Sequence, residues 1–216
     1  TQAPSFRRLL MVQREFGEPG FYFSDSAEYG CNPCGEIGLH PVVAGPLPPA
    51  ERRRLRACGY RGPLGRDLRL SGWQLCNLTT INAAAVRSAD DFLRACVDAA
   101  VIGTLQAAYT HIPYLGPVTR YLNERDALLG VSICGVLDNP RRLLNARLLQ
   151  RGARLCRTVN AWVAAALGIR PAARVTCVKP EGTAALLLGT APGIHPHPAR
   201  RYLRRVRADP ADPVCR

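Results

Sequence analysis

One lysine, one methionine and only 6% aromatic residues mark this 216-residue chain first by what it omits. Lys179 stands alone among 29 basic residues, so the net charge of +13 is carried by arginine. A charge of that size ordinarily points to a polyanionic partner such as nucleic acid. Here the arginines are scattered, apart from Arg52–Arg54 and the group Arg200, Arg201, Arg204, Arg205 and Arg207, and the chain is equally rich in Ala, Gly and Pro. That composition reads as coding bias, and no specific nucleic-acid partner is expected. No apolar run approaches the roughly 18 to 20 residues that span a bilayer. Thr1 to Leu10 carries arginines without the apolar stretch of a secretory signal, so a cytoplasmic location is expected. The nine cysteines are odd in number and irregular in spacing, which argues against a secreted disulfide framework. The full P-loop spacing is missing as well.

At 47% hydrophobic, the chain can bury a core, and residues 1–216 read as one domain. Its most informative segment is Asn32-Pro33-Cys34-Gly35-Glu36, an amide, a thiol and a carboxylate on a turn shaped by proline and glycine. Such a segment belongs at a loop tip, where it presents a reactive thiol or, on the plainer alternative, buries a structural cysteine. A second thiol, Cys76, opens the strand-like run from Trp73 to Ile81; a core cysteine is its plainer alternative. Lys179 to Thr183 places a glycine-containing loop after a strand and before an apolar helix-like run, an arrangement whose free N–H groups suit phosphate oxygens. Cys31-x-x-Cys34 lacks a second ligand pair at zinc spacing, and His195-x-His197 fits a loop on the rim of the fold, so no metal is expected.

The coarse pattern is α/β. A turn at Glu18-Pro19-Gly20 leads into a short strand, Phe21-Tyr22-Phe23, and Pro41 to Gly72 reads as an irregular surface insert with one basic helical turn near Ala50 to Ala57. Ser88 caps a helix with Asp90 and Asp91 in its first turn, running to about Tyr109. A helix over Pro117 to Asp126, a buried strand over Leu128 to Leu137 and a long helix from Asn145 to Leu167, stopped by Gly168, follow. Arg174 to Val178 reads as a strand, and Tyr202 to Ala208 as an edge strand. Long helices between buried strands imply parallel crossovers.

Taken in order, Gly17 to Gly20, Asn32 to Glu36, Trp73 to Leu78 with Ile81-Asn82, Gly103 to Gln106, Ala127 to Ser132, Lys179 to Thr183 and Gly193 to His197 resemble the catalytic subunit of ribonucleotide reductase, in particular its adenosylcobalamin-dependent class. The resemblance implies a ten-stranded α/β barrel, present here only in part, with a catalytic finger loop at about 30–40, the insert at about 41–72 and a phosphate loop at about 179–185. It implies that Cys34 becomes a thiyl radical taking the ribose 3′ hydrogen, that Glu36 is the base on the 3′ hydroxyl, and that Asn32 hydrogen-bonds the ribose. Cys76 would be one member of the redox pair. Glu181, Gly182, Thr183 and Ala184 would hold the substrate phosphates. Adenosylcobalamin is the implied cofactor and a thioredoxin-like dithiol the implied reductant.

The family's other redox cysteine lies upstream of the finger loop, in a part of the barrel this chain does not contain. Much of the cobalamin contact surface and the relay cysteines are missing too; Cys215 has no close partner in sequence. The stretch between Cys34 and Cys76 is longer than the family's, and Ala184 replaces a frequent hydroxyl residue. These departures read as a fragment or split subunit completed by an upstream half. A truncated, non-catalytic barrel module binding a partner subunit or nucleic acid is the alternative. An incomplete barrel exposes unpaired strand edges. Poor solubility alone and rescue by the upstream half are expected by size-exclusion chromatography, and a monodisperse, cooperatively unfolding monomer would overturn the fragment reading.

Overall fold

The computed structural model describes residues 3–203 together with Pro213. Along the chain run α1 (Ala3–Phe16), β1 (Gly30–Cys31), β2 (Gly38–Leu39), β3 (Val42–Ala44), α2 (Pro49–Ala57), β4 (Arg69–Ser71) and β5 (Asn77–Asn82). They are followed by α3 (Ala89–Ala107), α4 (Gly116–Asp126), β6 (Leu129–Cys134), α5 (Pro140–Leu143), α6 (Ala146–Leu167) and α7 (Gly182–Leu188). β5 and β6 pair in parallel from Asn77 opposite Leu129 to Asn82 opposite Cys134. β1 pairs with β2 and β3 with β4, both antiparallel. The α/β class is as expected. Among the described residues the strands form two-stranded sheets, not a ten-stranded barrel.

Local chemistry sets the helix boundaries. Ser88 accepts the Asp91 N–H at 3.0 Å, and Asp90 and Asp91 lie in the first turn of α3, where carboxylates favour the positive end of the helix dipole. Asn145 accepts the Leu148 N–H at 3.1 Å to start α6, and Gly168 follows its last residue. α4 begins at Gly116, with Pro117 in its first turn.

Several expected elements are corrected. Trp73 to Cys76 is not strand, because its N–H groups are drawn to α4: Trp73 donates to Thr119 Oγ1 at 3.1 Å and Leu75 to Asn123 Oδ1 at 2.7 Å. β6 ends at Cys134, since Gly135 (φ 81°) turns the chain and Gly135 and Val136 both donate to the Gly193 carbonyl at 3.1 Å. Arg174 to Val178 follows the free edge of β6 through a single parallel bridge, Val131 to Thr176. Past it, the Lys179 N–H goes to the Ser132 hydroxyl at 3.2 Å and Pro180 has none to give. Phe21 to Phe23 is irregular; Phe21 packs edge-on to Phe6 of α1, with ring centroids 5.2 Å apart, and Tyr22 donates to the Gly30 carbonyl at 3.1 Å. The stretch 41–72 is structured: β3 and β4 flank α2, and Val43, Leu55 and Cys58 bury against Tyr121 and Leu122 of α4. Of the expected edge strand, Tyr202 and Leu203 carry none, and Arg204 to Ala208 lie outside the described residues, as does Cys215.

The β5/β6 sheet has two unlike faces, as strand alternation requires. Ile81, Leu129 and Val131 join Phe92, Cys96, Ala100 and Cys156 of α3 and α6 in the main core. Within that layer the buried Asn160 amide donates to Thr104 Oγ1 at 2.9 Å and accepts the Ala172 N–H at 2.9 Å. Leu78, Thr80, Gly130 and Ser132 alternate onto the opposite face. Asn160→Ala would orphan the Ala172 N–H, and a loss of about 2 kcal/mol is expected in urea unfolding of the chain combined with its upstream half, against near-neutrality for Trp162→Ala at a position 71% exposed.

Candidate active site

The site forms on the face of β5 and β6 that turns away from the helices. β1 and β2 make a short hairpin, Gly30 opposite Leu39 and Cys31 opposite Gly38, whose loop carries the reactive pentapeptide. Asn32 closes the loop three times: its N–H donates to the Ile37 carbonyl at 3.1 Å, its Oδ1 accepts the Ile37 N–H at 2.9 Å, and its carbonyl accepts the Gly35 N–H at 2.8 Å. Cys34 is exposed at the tip. Ile37 is 2% exposed and drives into the sheet over Gly130. A Cβ at Gly130 would stand 2.5 Å from Leu78 Cδ2, 2.8 Å from Ile37 Cδ1 and 2.9 Å from Cys177 Sγ, so glycine is what admits the hairpin here.

Beside Ile37, Glu36 buries both carboxylate oxygens without a hydrogen-bond donor among the described residues. A buried, donor-less carboxylate is costly, and its arrangement is complete only when a donor group arrives. Its negative charge is felt by two thiols. Burial, then the Glu36 charge, pushes the Cys76 thiol above its ordinary value. Burial, then Glu36 and Glu181, pushes Cys177 up to about 12. Glu36 and Cys76 thus lie close to one another, Asn32 and Glu36 belong to the same loop, and Cys34 is exposed at its tip.

The expected phosphate loop borders the same face. Glu181 sits at φ 58° just before α7, and its fully buried side chain turns inward, Oε1 accepting the Thr80 hydroxyl at 2.6 Å. Lys179 Nζ stands 3.8 Å from the other oxygen. The main chain of Gly182, Thr183 and Ala184 forms the first turn of α7, which no side chain among the described residues caps, and Gly182 and Thr183 are exposed. Of the two histidines considered for metal, His197 Nε2 meets Asp138 Oδ1 at 3.0 Å and His195 Nδ1 meets the Pro192 carbonyl oxygen at 3.1 Å.

Sequence reasoning missed Cys177 and Thr80 as members of this face. Strand alternation from Leu78 would have placed Thr80 there, whereas Cys177 became visible only with its position over Gly130. The hairpin's outgoing strand is clamped from outside the site. The His40 N–H goes to Gln74 Oε1 at 2.6 Å, and Arg125 of α4 donates to the His40 and Val42 carbonyls, both at 2.9 Å. Among the described residues no helix is long and apolar enough to cross a membrane.

No protein-family model matches the chain. It is 25% identical over 228 aligned positions, 92% of its own length, to an adenosylcobalamin-dependent ribonucleoside-triphosphate reductase of Lactobacillus helveticus. It is 44% identical over 48 residues to the enzyme of that name from Levilactobacillus brevis. The chain spans 28% of the first relative's length and 6% of the second's. A crystal structure of a B12-dependent, class II ribonucleotide reductase superposes with a TM-score of 0.62 at 20% identity, over 89% of this chain and 29% of that one. In sequence and in fold, the chain is similar to the adenosylcobalamin-dependent ribonucleotide reductases over somewhat less than a third of their length.

Proposed function

We propose that this chain is the finger-loop and phosphate-loop portion of a ribonucleotide reductase, converting ribonucleotides to 2′-deoxyribonucleotides through a thiyl radical at Cys34. The observation that carries the reading is the Glu36 carboxylate, both oxygens buried without a donor among the described residues, two positions along the same loop from an exposed thiol. A ribose laid under the tip supplies what that carboxylate lacks, a hydroxyl donor. The Cys34 thiyl takes the 3′ hydrogen, and Glu36 takes the 3′ hydroxyl proton. Asn32 has spent its Oδ1 on the loop, so its Nδ2 is the group offered to the ribose hydroxyls. The 2′ hydroxyl leaves as water as two thiols, Cys76 and one from the upstream part of the barrel, become a disulfide; Cys34 then returns the hydrogen. Burial keeps Cys76 in its protonated form, as a hydrogen donor requires. A thioredoxin-like dithiol resets the disulfide.

The phosphates are assigned to the backbone N–H groups of Gly182, Thr183 and Ala184 and to the Thr183 hydroxyl, at an uncapped helix start. Glu181 serves through its backbone, since its carboxylate is engaged by Thr80. The exposed tip fits a radical source outside this chain: adenosylcobalamin, when bound, supplies a carbon radical, and Pro33, Cys34 and Gly35 are the residues that would face it. The ten-stranded barrel is the form assigned to the complete protein, with the upstream half as partner. Free thiols of this kind persist in a reducing compartment, which supports a cytoplasmic location.

The chain combined with its upstream half, adenosylcobalamin and a dithiol is expected to produce deoxyribonucleotide. Cys34→Ser abolishes that product and Glu36→Gln lowers the rate by about 10² to 10⁴; retention of activity in Cys34→Ser overturns the assignment. A second measurement needs no turnover. The thiolate is the form that alkylates, so Cys177, pushed up to about 12, is expected to react with iodoacetamide only slowly at pH 8. Its rate should climb with pH up to that value, as read by peptide mass spectrometry.

A further inference from the structure

In the helix layer behind the sheet, two more cysteines, Cys96 and Cys156, pack in one cluster. α3 and α6 run side by side in the same direction: Phe92 and Cys96 face Gly152, and Thr104 faces Asn160. The approach is close because position 152 has no side chain. A Cβ there would lie 2.7 Å from Phe92 Cε1 and 3.0 Å from Cys96 Sγ. One turn further along α6, the Cys156 thiol donates to the Cys96 carbonyl at 3.5 Å. Both cysteines are buried, at 2% and 1% exposure, yet both line a cavity of about 410 Å³ whose wall is otherwise mostly apolar, including Phe92, Leu143 and Leu149. The exposed Leu144, Val178 and Ile194 lie along its wall.

From this juxtaposition we propose that Cys96 and Cys156 form a redox-active dithiol, which a small hydroperoxide entering the apolar cavity closes to a disulfide joining α3 to α6. The two thiols are not equivalent. The neighbouring Cys96 lowers Cys156 against the effect of burial, while Cys156 and burial together raise Cys96. Cys156 is therefore the attacking sulfur. Its thiolate displaces on the peroxide O–O bond, giving a sulfenic acid and releasing hydroxide, which takes up the proton given up by Cys156. The Cys96 sulfur then attacks the sulfenic sulfur, its own proton leaves with the departing oxygen as water, and the S–S bond forms. In sum, two thiols and one hydrogen peroxide give one disulfide and two waters. An uncharged oxidant is what such a wall admits, since a charged one would pay for desolvation.

Cys177 lines the same cavity but turns its sulfur toward Gly130 and Ile37, so it serves as an internal control. The chain combined with its upstream half, native and freshly reduced, is treated with hydrogen peroxide, alkylated, digested and mapped by mass spectrometry. The expected result is a linked pair of peptides carrying Cys96 and Cys156, lighter by two hydrogens than the sum of the reduced pair. It comes with a rise of roughly 5 °C in the thermal midpoint that dithiothreitol reverses. Cys96→Ser and Cys156→Ser remove both signals. Chain unfolded before oxidation should give scattered pairings instead, and this comparison decides the question even if neither variant folds. Recovery of Cys96 and Cys156 as free thiols while Cys34 is oxidised, or a dominant link from Cys156 to Cys177, overturns the proposal.

Discussion

Ile37 seated over the bare backbone of Gly130 is the contact on which the site depends. The hairpin that carries Cys34 has only two residue pairs of ladder, far too little to hold itself in place. Its position comes from the apolar anchor one residue beyond Glu36. Burying Ile37 carries the neighbouring carboxylate down with it, and the tip is left pointing outward. The cost of desolvating Glu36 is therefore met by hydrophobic burial next door, and the polar group ends where it has no partner among the described residues.

The division of labour across the sheet follows from strand alternation. Odd-numbered residues of β5 and β6, such as Ile81, Leu129 and Val131, pack on α3 and α6, whereas Thr80 and Ser132 bind the segment that carries Lys179 and Glu181. A single parallel pair thus holds the core on one side and the candidate chemistry on the other. The thiols are sorted by the same rule, with Cys96 and Cys156 in the helix layer and Cys177 on the face toward Gly130.

What was legible in the sequence was local. Ser88 with its acidic neighbours, Asn145 and Gly168 each carry their boundary in their own chemistry, and the pentapeptide reads as a loop tip because proline and glycine allow little else. What was not legible depends on partners distant along the chain. Trp73 to Cys76 has strand-like residues, but α4, some 45 positions later, takes its N–H groups. Arg174 to Val178 has the composition of a strand and receives only one bridge among the described residues, since just past it the Lys179 N–H goes to the Ser132 hydroxyl and Pro180 has no N–H to give. The insert looked irregular because strands of three residues are too short to show a period. Cys177 gave no signal at all, as its place in the site is set by a glycine 47 positions earlier that leaves room for it.

The clamp on the hairpin's outgoing strand has a further consequence. His40 has both its backbone groups taken, the N–H by Gln74 and the carbonyl by Arg125, and Arg125 also holds Val42. Gln74 lies two residues before Cys76, and Arg125 stands on the helix that leads into β6. The loop, the segment bearing the second thiol and the helix that leads into β6 are consequently one mechanical unit, in which a shift of any member breaks hydrogen bonds in the others. Such a unit has little freedom to lose when a ligand settles beneath the tip, so its geometry is set in folding and not at the moment of encounter.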